Sequence, residues 1–224
     1  MSSSSDDEAR KKGRKSKNQH GPKKKGVDSR CSPSGINKIM TSIINDNARM
    51  AEVDAMGFAS LQYIPEWIVN QEIYMYLATK FDVENNVIKD DVANIEINAE
   101  IVERALGLPS CGDEFSEYYP DGSEYEALKS RWGKFTLADL KGFVIKCAMQ
   151  TEEQRMLFRE AFILFLGKTF FCPTTNSFLS PERHFPLVVD VKNPMQYNWS
   201  LQIFTSIKDA IKDFQKKGVK HLSA

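Results

Sequence analysis

The histidines and cysteines are the side chains of this sequence best suited to metal binding or nucleophilic catalysis. The histidines, His20, His184 and His221, are far apart, and the sequence contains no HxxxH, HExxH or CxxC pattern. A structural zinc site needs about four well-spaced soft ligands, which these residues do not provide. The sequence therefore predicts no metal site and no cofactor, and its scattered cysteines are expected to be free thiols.

Cys172 and His184 are the one pair that could form a nucleophile and its base. Activation of a thiol needs a cationic neighbour or the N-terminus of a helix. Cys172 instead lies between Phe171 and Pro173, on the C-terminal side of an apolar segment. We therefore expect Cys172 to be a small buried thiol.

Gly167-Lys168-Thr169 resembles the end of a phosphate-binding loop. Such a loop needs glycine five residues before Gly167, and this sequence has Phe162 there, within an apolar helical stretch. The sequence therefore favours the C-terminus of a helix, where a lysine such as Lys168 is favourable, over a nucleotide-binding site. With no other catalytic pattern present, we predict that the protein is not an enzyme.

The first 30 residues differ sharply in charge from the rest of the chain. They contain ten basic and four acidic residues, a net charge of +6, whereas the whole chain has a net charge of 0 and residues 31–224 therefore carry −6. Their polar composition cannot repay the entropy of ordering. We predict a disordered basic tail over residues 1–30 and a folded domain over residues 31–224.

Two acid-free basic clusters in this tail have the spacing of a bipartite nuclear import signal. They predict nuclear localisation and a nuclear import receptor as partner; the alternative is a solubilising tail. Loose, nonspecific contact with nucleic-acid phosphates is compatible with either function. The residues concerned are Lys11, Lys12, Arg14, Lys15, Lys23, Lys24 and Lys25.

The spacing of apolar residues in the remaining chain is mostly that of helices. No run of 18 apolar residues occurs, so no transmembrane helix and no membrane partner are predicted. We predict a mainly α, single helical domain with a small β-hairpin over residues 87–97. The predicted helices begin at Gly35, span Glu66–Thr79, Ala99–Leu106 and Ser123–Arg131, follow Thr136, span Glu152–Leu166, and begin at Trp199.

Two of these helices carry distinctive apolar patterns. The helix Glu152–Leu166 becomes apolar on every side toward its end, which predicts a central position in the core. The last helix has a single apolar stripe, which we predict to be an interaction face for an unknown protein partner. The alternative is that the stripe packs fully on the domain. Its residues are Trp199, Ile203, Ile207, Ile211 and Phe214.

Several short segments, taken in order, resemble the plant mobile-domain group. This group includes the aminotransferase-like plant mobile domain and the related region that precedes ubiquitin-like cysteine proteases in plant transposon-derived proteins. The resemblance spans residues 30 to about 217 and implies a helical, usually nuclear domain of transposon origin without a demonstrated catalytic centre. The segments are Arg30–Pro33, Met56–Phe58, Leu106–Gly112, Phe165–Gly167, Phe171–Thr175 and Tyr197–Trp199.

The sequence departs from this group at its C-terminus. The group continues after the last helix with an apolar segment, whereas this chain has only Gly218–Ala224. We therefore expect the domain to be incomplete there. The predicted function is a non-enzymatic nuclear interaction module of transposon origin, and the alternative is an accessory or remnant region of a ubiquitin-like (SUMO-type) cysteine protease whose catalytic domain is absent.

Overall fold

The computed structural model describes residues 31–67, 70–115, 122–174 and 176–217. The predicted disordered tail, residues 1–30, lies outside them. The prediction of a mainly α domain with a small β element is confirmed. Over the described ranges the helices are α1 (Pro33–Ile43), α2 (Asn47–Ala55), α3 (Gln71–Lys80), α4 (Ala99–Leu106), α5 (Gly122–Trp132), α6 (Leu137–Lys146), α7 (Glu152–Leu166), α8 (Pro181–His184) and α9 (Trp199–Lys217), and the strands are β1 (Phe81–Asp82), β2 (Val87–Lys89) and β3 (Asn94–Glu96).

The helix α7 occupies the centre of the fold, as its sequence predicts. A capping box starts it: the Thr151 hydroxyl accepts from the backbone N–H of Gln154, and the Gln154 side chain accepts from the N–H of Thr151. Every residue of 160–166 is buried, and α2, α6 and the chain after residue 184 contact the helix. The chain then continues directly into a π-helical turn, Gly167–Phe171.

The first predicted helix is divided into α1 and α2. The Ser32 side chain accepts from the N–H of Gly35 at 3.1 Å, and Pro33 opens α1. The Asp46 carboxylate accepts from the N–H groups of Ala48 and Arg49, both at 3.1 Å, and so begins a second helix. The sequence analysis missed α2, which is only nine residues long.

The helix α3 begins later than predicted. The Asn70 side chain accepts from the N–H of Glu72 at 2.8 Å, which sets the first turn at Gln71 rather than at Glu66. Trp67 therefore precedes the helix and is 57% exposed. The predicted start at Glu66 was wrong because the Asn70 side-chain cap fixes the helix terminus.

The predicted hairpin is confirmed as β2 and β3, and β1 adds a third antiparallel strand in the order β1-β2-β3. Ile88 pairs with Phe81 on one side and with Ile95 on the other. Directly paired residues point to the same face of a sheet, so these three apolar side chains share one face. That face is directed toward α9 and α4, because Phe81 and Ile88 line a groove with residues of both helices.

The helix α4 has the limits that the sequence predicts. The Asn98 side chain accepts from the N–H of Ile101 at 3.1 Å. At the other end Gly107 adopts a left-handed conformation with φ of +65°, and a Cβ there would lie 2.7 Å from the Cβ of Ser60. Helices α3 and α4 both contact α9. A tight aromatic cluster of Phe58, Phe162, Phe171 and Trp199 joins the start of α9 to α7.

Candidate functional site

The predicted import signal lies outside the described residues and stays a prediction. Its residues are Lys11, Lys12, Arg14, Lys15, Lys23, Lys24 and Lys25. The structure therefore bears on the second predicted site, the apolar stripe of α9.

The stripe of α9 is not an uncovered face. Trp199 is fully buried, Ile203 and Ile211 are buried, and Ile207 and Phe214 are half-buried. The predicted interaction face requires the stripe to be incompletely covered; α4, α3 and the aromatic cluster cover the three buried residues, and only Ile207 and Phe214 stay partly exposed. The role of the stripe in partner binding stays a prediction.

The middle of the stripe lies against an apolar groove with a cavity volume of about 420 Å³. Its lining is hydrocarbon except for the Tyr74 hydroxyl and the Cys31 thiol. The residues come from α3 (Tyr74, Leu77, Ala78), the sheet (Phe81, Ile88), α4 (Ile101, Val102, Ala105, Leu106), α9 (Ile203, Phe204, Ile207, Ile211), and from Cys31, Ile97 and Phe170. The volume is within the range of ligand-binding pockets, and the apolar lining suits apolar side chains.

Exposed apolar side chains surround the opening of this groove. Leu77 lines the groove and is 38% exposed, and Ile73, one helical turn earlier on α3, is 55% exposed. On the sheet, Ile95 is 52% exposed beside its cross-strand partner Ile88, which lines the groove. The apolar surface thus continues from the groove onto its rim, as at many interaction sites.

The charged groups of the groove region lie on its outer surface. Residues 70–106 contain eight acidic and three basic residues, a net charge of −5. The Tyr76 hydroxyl donates to Asp90 at 2.6 Å, which raises the pKa of Tyr76 and lowers that of Asp90. Inside the groove, burial raises the pKa of the Cys31 thiol to about 12, so this thiol is neutral at physiological pH.

Cys172 and His184 lie close together, but both side chains contact backbone groups within the domain. Nδ1 of His184 accepts from the N–H of Ser180 at 2.8 Å, which assigns the ring proton to Nε2, 3.3 Å from the carbonyl oxygen of Cys172. The Cys172 thiol is 3.6 Å from the carbonyl oxygen of Arg183. Burial raises the pKa of Cys172 to about 12 and lowers that of His184 to about 4, so both side chains are neutral near pH 7.

Lys168 is buried at the π-helical turn rather than in a phosphate-binding loop. Its Nζ donates to the carbonyl oxygens of Asn176 at 2.7 Å and Phe178 at 2.9 Å. These bonds tie the following loop to the end of α7. The arrangement suits a structural lysine, because its ammonium group faces backbone carbonyls within the domain.

Metal-binding clusters and membrane-spanning helices are absent from the described residues. These residues contain no group of three or more His, Cys, Asp or Glu side chains placed to hold a metal ion. Among them there is also no helix long and apolar enough to cross a membrane.

Sequence reasoning missed the groove, although it predicted the α9 side of it. Leu77, Ile88 and Ile101 were placed within the predicted helices and the hairpin but were not assigned to a site. One signal was present: Ile101, Val102, Ala105 and Leu106 repeat at helical spacing on a helix of only eight residues. This pattern requires an apolar neighbour for α4, but it does not say that α3, the sheet and α9 also line the same space.

A family model described as "Domain of unknown function (DUF8566)" matches residues 29–224. The chain therefore belongs to this family. No curated protein matches the chain, and no solved structure matches it.

Proposed function

We propose that this protein is a non-enzymatic nuclear interaction module that binds a partner protein through the apolar groove. The observation that carries the proposal is the groove of about 420 Å³ together with the exposed apolar residues at its rim. Burial of apolar surface contributes roughly 25 cal/mol per Å², so a partner that covers the groove and rim would gain binding free energy without any charged contact.

The contacts of the reactive side chains support the non-enzymatic part of the proposal. His184 and Cys172 are neutral and hydrogen-bonded to the backbone, and Lys168 donates to two backbone carbonyls. A nucleophile or general base must reach a substrate in the correct protonation state. These groups instead form internal hydrogen bonds, from Lys168 to residues 176 and 178 and from His184 to Cys172.

The nuclear part of the proposal rests on the sequence of the tail, and the transposon origin rests on the resemblance to the plant mobile-domain group. The basic clusters around Lys11 and Lys23 supply the import receptor with its binding peptide, and they permit loose contact with nucleic-acid phosphates.

Peptide selection tests the groove. The full chain is presented with a displayed library of random 16-residue peptides, alongside Leu77→Glu, which puts a charge at the groove, and Met195→Glu, a control at an apolar residue that is 56% exposed and does not line it. We expect enrichment on the wild type and on Met195→Glu, and none on Leu77→Glu. Equal enrichment on all three proteins, or none at all, would contradict the proposal, and circular dichroism verifies that each variant is folded.

Localisation is tested with a fluorescent fusion too large to diffuse through nuclear pores. Replacing Lys11, Lys12 and Lys23–Lys25 by alanine is expected to abolish nuclear enrichment. The control replaces two exposed body residues, Lys212 and Lys216, and is expected to leave enrichment unchanged. Nuclear enrichment that survives the tail substitutions would refute the import signal.

A further inference from the structure

We propose that the segment bound by the groove is an amphipathic helix of another protein, with apolar anchor residues flanked by lysines or arginines. This inference rests on the proposed function of the groove. It specifies the partner in two respects, the conformation of its backbone and the sign of its charge.

The lining of the groove determines the conformation. An extended peptide placed against it would leave buried N–H and C=O groups without partners, because nearly all lining side chains are hydrocarbon. A helix satisfies its own backbone hydrogen bonds and presents only side chains, at positions such as i, i+3, i+4 and i+7. The groove is lined by three helices and one sheet face, and a further helix packs on such a surface with its anchors inserted.

The charge of the surrounding surface determines the flanking residues. Residues 70–106 carry a net charge of −5, and α9, which also lines the groove, carries four lysines and two aspartates, a net charge of +2, so the two segments together carry −3. Glu72, Glu84 and Glu100 are exposed, and within the described part of the chain their carboxylates have neither an ion pair nor a hydrogen bond. Glu72 is on α3, Glu84 is in the turn between β1 and β2, and Glu100 is on α4, and both helices and both strands contribute to the lining. Unneutralised carboxylates on these elements attract basic residues beside the anchors, which speeds the encounter of the two molecules and favours one orientation of the bound helix.

Two other occupants fit the groove less well. Residues 2–26 of this chain are basic but contain no Val, Ile, Leu, Met, Phe, Trp or Tyr, so they lack anchors for an apolar groove. A second copy of the chain, docked symmetrically through the same surface, would bring two acidic surfaces together. A basic, amphipathic helix of another protein provides both apolar anchors for the lining and positive charge opposite the acidic residues.

The enriched peptides of the selection provide the test. We expect a pool with net positive charge and apolar residues spaced by three and four positions. Fluorescence anisotropy at low salt then measures the affinity of a representative peptide for the wild type and for the triple variant Glu72→Lys/Glu84→Lys/Glu100→Lys. We expect the variant to bind the peptide about tenfold more weakly than the wild type, with a smaller difference at high salt. The control with the same charge change, Asp54→Lys/Glu126→Lys/Glu182→Lys, alters exposed acids elsewhere and should bind as the wild type does.

The possible failures are distinguishable. A pool that depends on Leu77 but is acidic or neutral, or that alternates apolar residues at every second position as a strand does, overturns this inference and leaves the proposed function intact. Peptide enrichment that is equal on the wild type and on Leu77→Glu overturns both this inference and the proposed function.

The other occupants also have defined results. Sedimentation of the full chain as a dimer at micromolar concentration, reversed by Leu77→Glu, assigns the groove to a second copy. Peptide binding that strengthens about tenfold when Lys23, Lys24 and Lys25 are replaced by alanine assigns the acidic surface to the tail. Either result overturns the inference, and a monomer with unchanged peptide binding supports it.

Discussion

Helices α7 and α3 are both rich in apolar residues, yet the structure uses them in opposite ways. Eight of the fifteen residues of α7 are buried, including the glutamate at residue 160. Of the α3 side chains that the structure describes, only Ala78 is buried, while Ile73, Tyr76 and Leu77 are exposed. Apolar content alone therefore does not decide burial. The incompletely covered surface of α3 is where a partner would bury the most additional apolar surface.

Polar contacts differ between the two regions in the same way. Near α7, Arg159 Nε donates to Glu52 at 2.6 Å, and Trp132 Nε1 donates to Glu160 at 2.6 Å, all largely shielded from water. In the groove region, Lys89 pairs with Asp82 at 2.5 Å on the surface. Removing one partner of a buried pair leaves an uncompensated charge, whereas surface pairs contribute little. The buried charged contacts near α7 thus stabilise that region more strongly than the surface pair stabilises the groove region.

Core packing should distinguish α7 from α3 most strongly. Phe162→Ala removes a fully buried ring from the centre of the fold and should lower the free energy of unfolding by about 3–5 kcal/mol. Leu77→Ala removes a partly exposed side chain and should cost less than about 1 kcal/mol. Urea denaturation measures both, and comparable losses would show that α3 is as tightly packed as α7.

A pH effect of somewhat smaller size comes from His184, beside the end of α7. Its pKa is about 4 in the folded protein because of burial and, secondarily, the nearby Lys168, against an ordinary value of 6.5. The unfolded chain therefore binds a proton between these values and the folded chain does not. Stability should fall as the pH drops from about 6.5 to 4, by about 3 kcal/mol in total.

The matched measurement compares the wild type with His184→Gln. Carboxylates titrate in both proteins, so the difference between their stability–pH curves isolates the histidine. Parallel curves from pH 4 to 6.5 would contradict a neutral buried His184.

Helix caps provide the next test, with expected effects near 1 kcal/mol. Thr151→Ala removes the capping box of α7, and Asn98→Ala removes the cap of α4. Loss at α7 should lower global stability, because this helix forms the buried centre of the fold. Loss at α4 should increase amide hydrogen exchange mainly within residues 99–106. Exchange that rises equally across the whole domain after Asn98→Ala would show that the two regions unfold as one unit.

The smallest expected effect is at the surface of the groove region. Asp90→Asn removes the carboxylate that accepts from Tyr76, so the raised pKa of Tyr76 should move down toward its ordinary value of 10. Ultraviolet titration of the phenolate measures this change, with thermal unfolding as the check that stability is unaltered. A Tyr76 pKa that does not change would mean that this hydrogen bond is not populated in solution.

Much of the helical framework was predictable from the sequence. The limits of α4 follow from Asn98 and Gly107, and the start of α7 follows from Thr151 and Gln154, because each signal acts through hydrogen bonds between residues three or four apart. The all-apolar end of α7 likewise required a central position. Even the wrong start of α3 was a local error, because the side chain that caps this helix, Asn70, lies within the predicted span.

The groove was decided only by the tertiary structure. The Gln215 side chain donates to the carbonyl oxygens of Ala78 and Phe81, both at 2.8 Å, and so joins the end of α9 to segments more than 130 residues away. The apolar stripe of α9 has the same spacing whether it is covered, exposed or part of a groove. The sequence by itself determined that the stripe needs apolar neighbours. Which neighbours it meets depends on how α3, the sheet and α4 pack together, because packing between distant segments is a property of the whole chain.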